Sequence, residues 1–98
     1  MNTEEFEAEV QDFSTPILVD VMATWCGPCK EMEPQLEEVA KKMEGTVRFV
    51  KVDSDVETEV ATTLQIEGLP TILLINEMSV IMRAEGTFMA DELEELVR

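Results

Sequence analysis

Residues 17–30 read ILVDVMATWCGPCK and contain the pattern that decides the fold. Their first six residues form a short apolar run rich in β-branched side chains, which is typical of a central strand covered on both faces. A loop with two cysteines follows, and apolar side chains then recur at helical spacing as far as Gly45. Pro28 suits the first turn of this helix, whereas Pro34 should kink it. The predicted order is strand, loop, long helix.

The rest of the chain extends this unit in both directions. The first helix should bear an apolar face made of Phe6, Val10 and Phe13. We expect further helices at residues 2–11, at residues 56–64 and from Ala90 or Asp91 onwards, and further strands at residues 47–52, 71–75 and 79–84. The order α-β-α-β-α-β-β-α predicts an α/β fold, with a central mixed β-sheet of about four strands flanked by helices on both faces. The crossover helix makes the first two strands parallel, and the last two should form a hairpin that ends at Gly86.

Composition sets limits on organisation and partners. With 98 residues, 45% of them hydrophobic, we expect a single domain over residues 1–98. The sequence lacks both a membrane-spanning apolar run and a basic leader, so we expect a soluble protein of the cytoplasm, or of the plastid stroma if a transit peptide has been removed. The net charge of −15 argues against binding nucleic acid or an anionic membrane. Two interpretations of this charge stay open: a solvated acidic surface, or a docking surface for basic partners.

The chain has two cysteines, Cys26 and Cys29, placed at the start of the long helix. Unpaired backbone N–H groups and the helix dipole should stabilise a Cys26 thiolate, which makes Cys26 the predicted nucleophile. We expect Cys29 to be less exposed and to resolve a mixed disulfide. A zinc site is the rival interpretation. It is disfavoured because structural zinc normally needs four ligands, and the chain has no histidine and no second cysteine pair.

The stretch Trp25–Lys30 resembles the active-site motif of the thioredoxin family. Asp20, Pro34, the Gly68–Thr71 segment and Gly86 match further family positions in order and spacing. The resemblance covers nearly the whole chain. Some plastid thioredoxins of the z type are similar around the motif.

The resemblance implies roles for individual residues. Asp20 becomes a buried carboxylate that accepts a proton from Cys29, and its burial should raise its pKa. Pro70 becomes a cis-proline facing the cysteines, and the Leu69 backbone would hydrogen-bond an extended substrate. Trp25 is expected to be a partly exposed contact, with plain packing as its alternative. The residues expected to bind substrate are Trp25, Gly27, Pro28, Gly68, Leu69, Pro70 and Gly86.

The resemblance also implies an activity: reduction of protein disulfides by a monomer that needs no bound cofactor. Electrons would come from a thioredoxin reductase that depends on NADPH or ferredoxin. The alternative is an interaction subunit whose partner binding matters more than turnover. Two positions depart from the family pattern. Met22 replaces a common aromatic residue, and Phe49 stands where bacterial members often have a lysine near the buried aspartate.

Overall fold

The computed structural model describes residues 3–12 and 14–97. Asn2 and Phe13, which the sequence analysis assigned to the first helix and its apolar face, lie outside these residues. The elements are α1 (Thr3–Gln11), β1 (Ile17–Met22), α2 (Gly27–Lys42), β2 (Arg48–Asp53), α3 (Thr58–Thr63), β3 (Thr71–Asn76), β4 (Ser79–Glu85) and α4 (Ala90–Leu96). The predicted order of helices and strands is confirmed.

The four strands form one mixed sheet with the spatial order β2-β1-β3-β4. Strand β1 pairs in parallel with β2, as the crossover through α2 predicts, and antiparallel with β3. Both central strands have five buried residues in succession. This burial explains their continuous apolar sequences, since side chains on both faces of a central strand lie in the core.

Two helices cover each face of the sheet. Buried side chains of α2 and α4 pack with Leu18 of β1 on one face, while those of α1 and α3 pack with Val19 on the other. Because side chains alternate along a strand, Asp20 lies on the same face as Leu18. The fold therefore directs Asp20 towards α2, the helix that begins at the cysteine pair.

Helix α2 begins at Gly27, with Pro28 in its first turn, and continues through Pro34 without interruption. It ends at Lys42, three residues before the predicted stop. Gly45 adopts a φ of 84°, in the turn that follows, where glycine avoids the steric cost of a side chain. The kink at Pro34 stays a prediction.

The hairpin between β3 and β4 turns without glycine. Glu77 and Met78 both adopt positive φ, at 49° and 66°, which is the backbone shape that a tight hairpin requires. Helix α3 covers Thr58–Thr63 and is shorter than predicted. Val56, which the apolar spacing placed in that helix, precedes it and is exposed.

Two polar contacts join the helices and the sheet. The Arg48 guanidinium, at the start of β2, donates to the Thr15 hydroxyl at 2.9 Å and to the Glu9 carbonyl at 3.1 Å, which ties α1 to the sheet. On the opposite face, the Gln35 side-chain oxygen accepts a hydrogen bond from the Ala90 N–H at 2.9 Å. This contact connects α2 to the first turn of α4.

Candidate active site

Cys26 and Cys29 form a disulfide across the first turn of α2, with their Cα atoms 5.3 Å apart. Cys26 is the N-cap residue, and its Sγ accepts a hydrogen bond from the Cys29 N–H at 3.2 Å. A backbone donor and the positive end of a 16-residue helix therefore meet at the first sulfur. Both features favour the negative charge of a thiolate over the neutral thiol.

The expected difference in exposure between the two cysteines is wrong for the oxidised pair. Cys26 is 3% exposed and Cys29 is 5% exposed. The physical reason is packing, since both cysteines form a small cluster with Ala23 against which Met22 and Leu69 pack. The argument for Cys26 as the attacking sulfur therefore rests on its place at the helix N-terminus.

Asp20 lies in the middle of β1, buried as predicted and 7% exposed. It lines a narrow cavity together with Cys29, so a strand residue and a helix residue meet beneath the redox pair. Its Oδ1 atom has no hydrogen-bond partner among the described residues. Burial raises the pKa of Asp20 from 3.8 to about 6, because desolvation disfavours the charged carboxylate.

Sequence analysis missed two charged residues beside Asp20. Lys51 of β2 lies opposite Asp20 in the strand register, and its ammonium group pairs with the Glu33 carboxylate of α2. The position at which a lysine was expected is occupied by Phe49. Lys51 lies two residues further along β2. It is on the same face of the sheet as Phe49, because every second side chain of a strand points to the same face.

Trp25 is 69% exposed beside the disulfide, so plain packing does not describe it. Its indole Nε1 donates to Asp55 Oδ2 at 2.6 Å. Asp55 follows β2 in a turn in which its N–H donates to the Asp53 side chain at 2.9 Å. No motif identified Asp55, because the contact spans thirty residues and depends on the sheet register.

The peptide bond between Leu69 and Pro70 is cis, as the resemblance predicts. Leu69 packs against the cluster that contains both cysteines, which brings this loop to the site. The Gly68 carbonyl accepts a hydrogen bond from the Thr71 hydroxyl at 2.5 Å. The Pro70 carbonyl accepts another from the Gly86 N–H at 3.0 Å, with Gly86 at a φ of 104°. Two loops expected to bind substrate are thus joined.

The turn residues between the cysteines, Gly27 and Pro28, are both exposed, whereas Pro70 is fully buried. The exposed residues beside the disulfide are therefore Trp25, Gly27 and Pro28. The structure brings together Cys26, Cys29, Asp20, Trp25 and Leu69. Their roles towards substrate stay predictions.

The geometry and the motifs agree with one family. The thioredoxin family model matches residues 1–98. The chain belongs to the thioredoxin family. Rice chloroplastic thioredoxin Y is 39% identical over 88 residues, which make up 90% of this chain and 52% of the relative. Mouse mitochondrial thioredoxin is 36% identical over 94 residues, or 96% of this chain and 57% of the relative. This thioredoxin domain spans only about half the length of these two relatives.

A solved structure of chloroplastic thioredoxin z matches the fold with a TM-score of 0.88 and 37% identity. The match covers 97% of this chain and 86% of the other. Identity to the Y-type and z-type thioredoxins is nearly equal, so the predicted likeness to the z type extends to another plastid type. Relatives named chloroplastic and mitochondrial both occur among those compared.

Family membership and the disulfide between Cys26 and Cys29 make this pair the candidate redox centre of the chain. Members of the thioredoxin family generally act on disulfide-containing proteins and are reduced by a reductase. In the part of this thioredoxin that the structure describes, no helix is both long and apolar enough to cross a membrane.

Proposed function

We propose that the protein reduces disulfide bonds in other proteins by dithiol–disulfide exchange. The observation that carries this proposal is Cys26 at the N-cap of α2, with its sulfur bonded to Cys29 and hydrogen-bonded by the Cys29 N–H. A sulfur in this position suits both halves of an exchange reaction. It attacks well as a thiolate and leaves well when the bond to it is broken.

The reaction starts from the reduced dithiol. The Cys26 thiolate attacks one sulfur of the substrate disulfide, forms a mixed disulfide and releases the other substrate sulfur as a thiolate. The Cys29 thiol then gives its proton to the Asp20 carboxylate and attacks the Cys26 sulfur. The substrate's second sulfur leaves as a thiolate and takes up a proton, while the Cys26–Cys29 disulfide forms. Two electrons have passed from the enzyme to the substrate.

Substrate binding is assigned to the exposed surface around the disulfide. Trp25, Gly27 and Pro28 provide the accessible contacts, and the backbone beside Leu69 provides hydrogen-bonding groups for an extended segment. Gly68 and Gly86 support this surface by holding the cis-proline loop in place. A folded protein substrate would have to present its disulfide on a projecting segment.

Electrons for the next cycle would come from a thioredoxin reductase that depends on NADPH or ferredoxin, with no cofactor bound to this protein. Reduction is the proposed direction because the Gly27-Pro28 pair resembles that of reducing thioredoxins. The two sources can be distinguished by supplying either an NADPH-dependent or a ferredoxin-dependent reductase and measuring free thiols. Rapid reduction by one of them would identify the class of donor.

Turnover of insulin disulfides, with dithiothreitol as reductant, tests the proposed activity. We expect the wild-type protein to accelerate reduction and Cys26→Ser to lose the acceleration entirely. Glu44→Gln, on the exposed turn after α2, provides a matched control that should behave as wild type. Slow wild-type turnover, together with partner binding that Cys26→Ser leaves unchanged, would instead indicate an interaction subunit.

A further inference from the structure

An apolar groove lies between α1, the end of α3 and the β3–β4 hairpin, and it has a volume of about 250 Å³. A smaller cavity adjoins it between the two helices and shares Phe6 and Thr63 as lining residues. The apolar side chains of the groove come from all three elements: Phe6, Val10, Leu64, Ile75, Met78 and Val80. The groove therefore offers apolar contacts on three of its sides.

The groove lies at the opposite end of the sheet from the redox pair. Ile75 pairs with Ile17, the first residue of β1, whereas the two cysteines follow the last residue of that strand. The groove is also on the face of the sheet that α1 and α3 cover, where Phe6 and Ile75 belong to one buried cluster. A molecule bound in the groove would therefore leave the disulfide accessible.

Large apolar side chains are exposed along one side of the groove. Met78 is 59% exposed, Val80 is 45% exposed and Ile81 is 57% exposed, and all three lie within four consecutive residues at the start of the edge strand β4. Single exposed apolar residues are common on protein surfaces, but a group of them beside a groove indicates an interaction site. This side of the groove is therefore a candidate docking surface.

Met78 occupies a backbone position that favours glycine. Its φ is 66°, in the left-handed region, where the side chain of any other residue has a steric cost. Glycine is the usual residue at this place in a tight hairpin. Packing does not account for the methionine, because its side chain is mostly exposed. Contact with another molecule would explain an apolar side chain here.

The rim of the groove is acidic. Glu7 lines the groove, Glu59 lines the adjoining cavity and Glu77 lies in the hairpin turn, and all three are exposed. Among the residues that the structure describes, none of these three forms an ion pair. Arg83 of β4 borders the groove, but its guanidinium donates to two carbonyls at the end of α3. The rim is therefore complementary to a positively charged partner.

We propose that this groove docks a basic amphipathic helix of another protein. The apolar side of the helix would contact Met78 and Val80, and its lysine or arginine side chains would face the acidic rim. A strand added to β4 is a poorer fit, because a bulge interrupts the pairing of this edge strand. A second copy of the chain is also a poorer fit, because two molecules of net charge −15 repel each other. The proposal does not depend on the redox activity.

Fluorescence anisotropy tests the charge complementarity, with a labelled synthetic amphipathic helix of leucine and lysine as the probe and the oxidised full chain as its target. We expect binding that weakens as the salt concentration rises. Glu7→Gln/Glu59→Gln should weaken binding by about fivefold, within the range for two exposed ion pairs. The matched control is Glu38→Gln/Glu44→Gln, which removes the same charge elsewhere on the surface and should change the affinity by less than about twofold.

Met78→Gly tests the apolar contact and separates docking from folding. The variant should bind the probe about fivefold more weakly, because the helix loses part of the apolar surface that it covers. Its melting temperature should equal or exceed that of the wild type, because glycine suits the positive φ of this position. Wild-type affinity in Met78→Gly would overturn the proposal.

Backbone NMR of the wild type locates the bound probe. We expect the amide signals of Leu64, Ile75 and Val80 to shift, and those around Trp25 to stay unchanged. Shifts centred on Trp25, equal losses of affinity in the two charge variants, or equally tight binding of a peptide with glutamate in place of lysine would overturn the proposal. So would sedimentation that shows a dimer which Met78→Gly abolishes, since the occupant would then be a second copy. None of these measurements uses turnover, so their failure is distinct from loss of activity in the insulin assay.

Discussion

Asp20 lies in register with Lys51 across two parallel strands, while the lysine ammonium pairs with Glu33 on the helix above. The Asp20 Oδ1 atom is left buried without a hydrogen-bond partner among the described residues. Such a carboxyl costs folding free energy when it is ionised, since an unpaired charge is poorly solvated in the interior. Its proposed role in the resolving step is therefore accompanied by a measurable loss of stability.

The first prediction concerns the pH dependence of that loss. The folded-state pKa of Asp20, at about 6, is above its ordinary value of 3.8, so the folded state holds the proton more tightly than the unfolded state. The stabilising contribution of the protonated group is present in full below pH 3.8 and is lost as the pH rises through 6. The free energy of unfolding should fall by about 3 kcal/mol across this range on account of Asp20.

Asp20→Asn should remove this pH dependence of stability. It should raise the free energy of unfolding at pH 7 by about 1 to 2 kcal/mol. The gain is smaller than the full contribution of about 3 kcal/mol, because the buried amide also needs hydrogen-bond partners. Urea unfolding at pH 4, 5, 6 and 7 measures the effect. Glu44→Gln, which removes an exposed acid, corrects for the change in net charge. A lower stability of Asp20→Asn at pH 7 would contradict the prediction.

The second prediction concerns the hydrogen bond between Trp25 and Asp55. Trp25 is the single tryptophan of the chain, so its fluorescence reports directly on this contact. Asp55→Ala should lower the fluorescence anisotropy of Trp25, because an exposed indole loses the acceptor that orients it. The stability cost should be about 1 kcal/mol or less, as is typical of a solvent-accessible hydrogen bond.

Asp55→Asn is the matched variant, since its side-chain oxygen can still accept from the indole. We expect its anisotropy to lie close to that of the wild type. Equal anisotropy in the wild type and in Asp55→Ala would show that this hydrogen bond does not orient Trp25 in solution. If the ordered indole contributes to substrate binding, Asp55→Ala should also raise the KM for insulin.

The third prediction concerns Arg48, which joins α1 to the start of β2. Besides its bonds to Thr15 and to the Glu9 carbonyl, the guanidinium pairs with the Glu9 carboxylate at 2.5 Å. Arg48→Met should lower the free energy of unfolding by about 2 to 4 kcal/mol, because several charge-assisted hydrogen bonds to partly buried groups are lost together.

Arg48→Lys should restore little of this stability, since an ammonium group cannot reproduce the planar arrangement of guanidinium donors. Arg83→Met is the comparison on an exposed site, where the guanidinium contacts carbonyls at the end of α3. Chemical denaturation gives the free energy of unfolding of each of the three variants and so ranks them by stability. An Arg48→Met protein no less stable than Arg83→Met would disprove the assignment.

Local patterns predicted most of the fold. The apolar run of β1, the helical spacing after Cys29 and the turn at Gly86 each depend on neighbouring residues, so their elements were recognisable in the sequence. The hairpin turn was harder, because Glu77 and Met78 adopt positive φ without the glycine that normally indicates it. The apolar Val56 extended the predicted α3 although its side chain lies exposed in the preceding turn.

The residues of the site also fall into two groups: those that short motifs predicted and those that only the fold brings together. Cys26, Cys29 and Pro70 belong to short motifs and were predicted together with their place in the fold. Asp55 and Lys51 were not, because each meets its partner only through the pairing of β1 with β2 or the position of α2 above the sheet. The similar burial of the two cysteines could not be predicted from the sequence either. It depends on residues that are distant in the sequence but pack around the disulfide.

The last prediction separates the two sulfurs by chemistry rather than exposure. Attack by a thiolate at the helix N-terminus assigns the first step to Cys26, whatever the burial of the oxidised pair. A Cys29→Ser protein should therefore attack a substrate disulfide and stop at the mixed disulfide, because no second sulfur is present to release the substrate. Cys26→Ser should capture far less, since its remaining thiol lacks the N-cap position.

Intact-mass measurement of each reduced variant after mixing with insulin detects the covalent adduct. We expect an adduct with Cys29→Ser that dithiothreitol removes, little with Cys26→Ser and none with the double variant Cys26→Ser/Cys29→Ser. Equal adduct formation by both single variants would mean that the N-cap position does not determine which sulfur attacks. The helix N-terminus would then no longer distinguish the attacking sulfur from the resolving one.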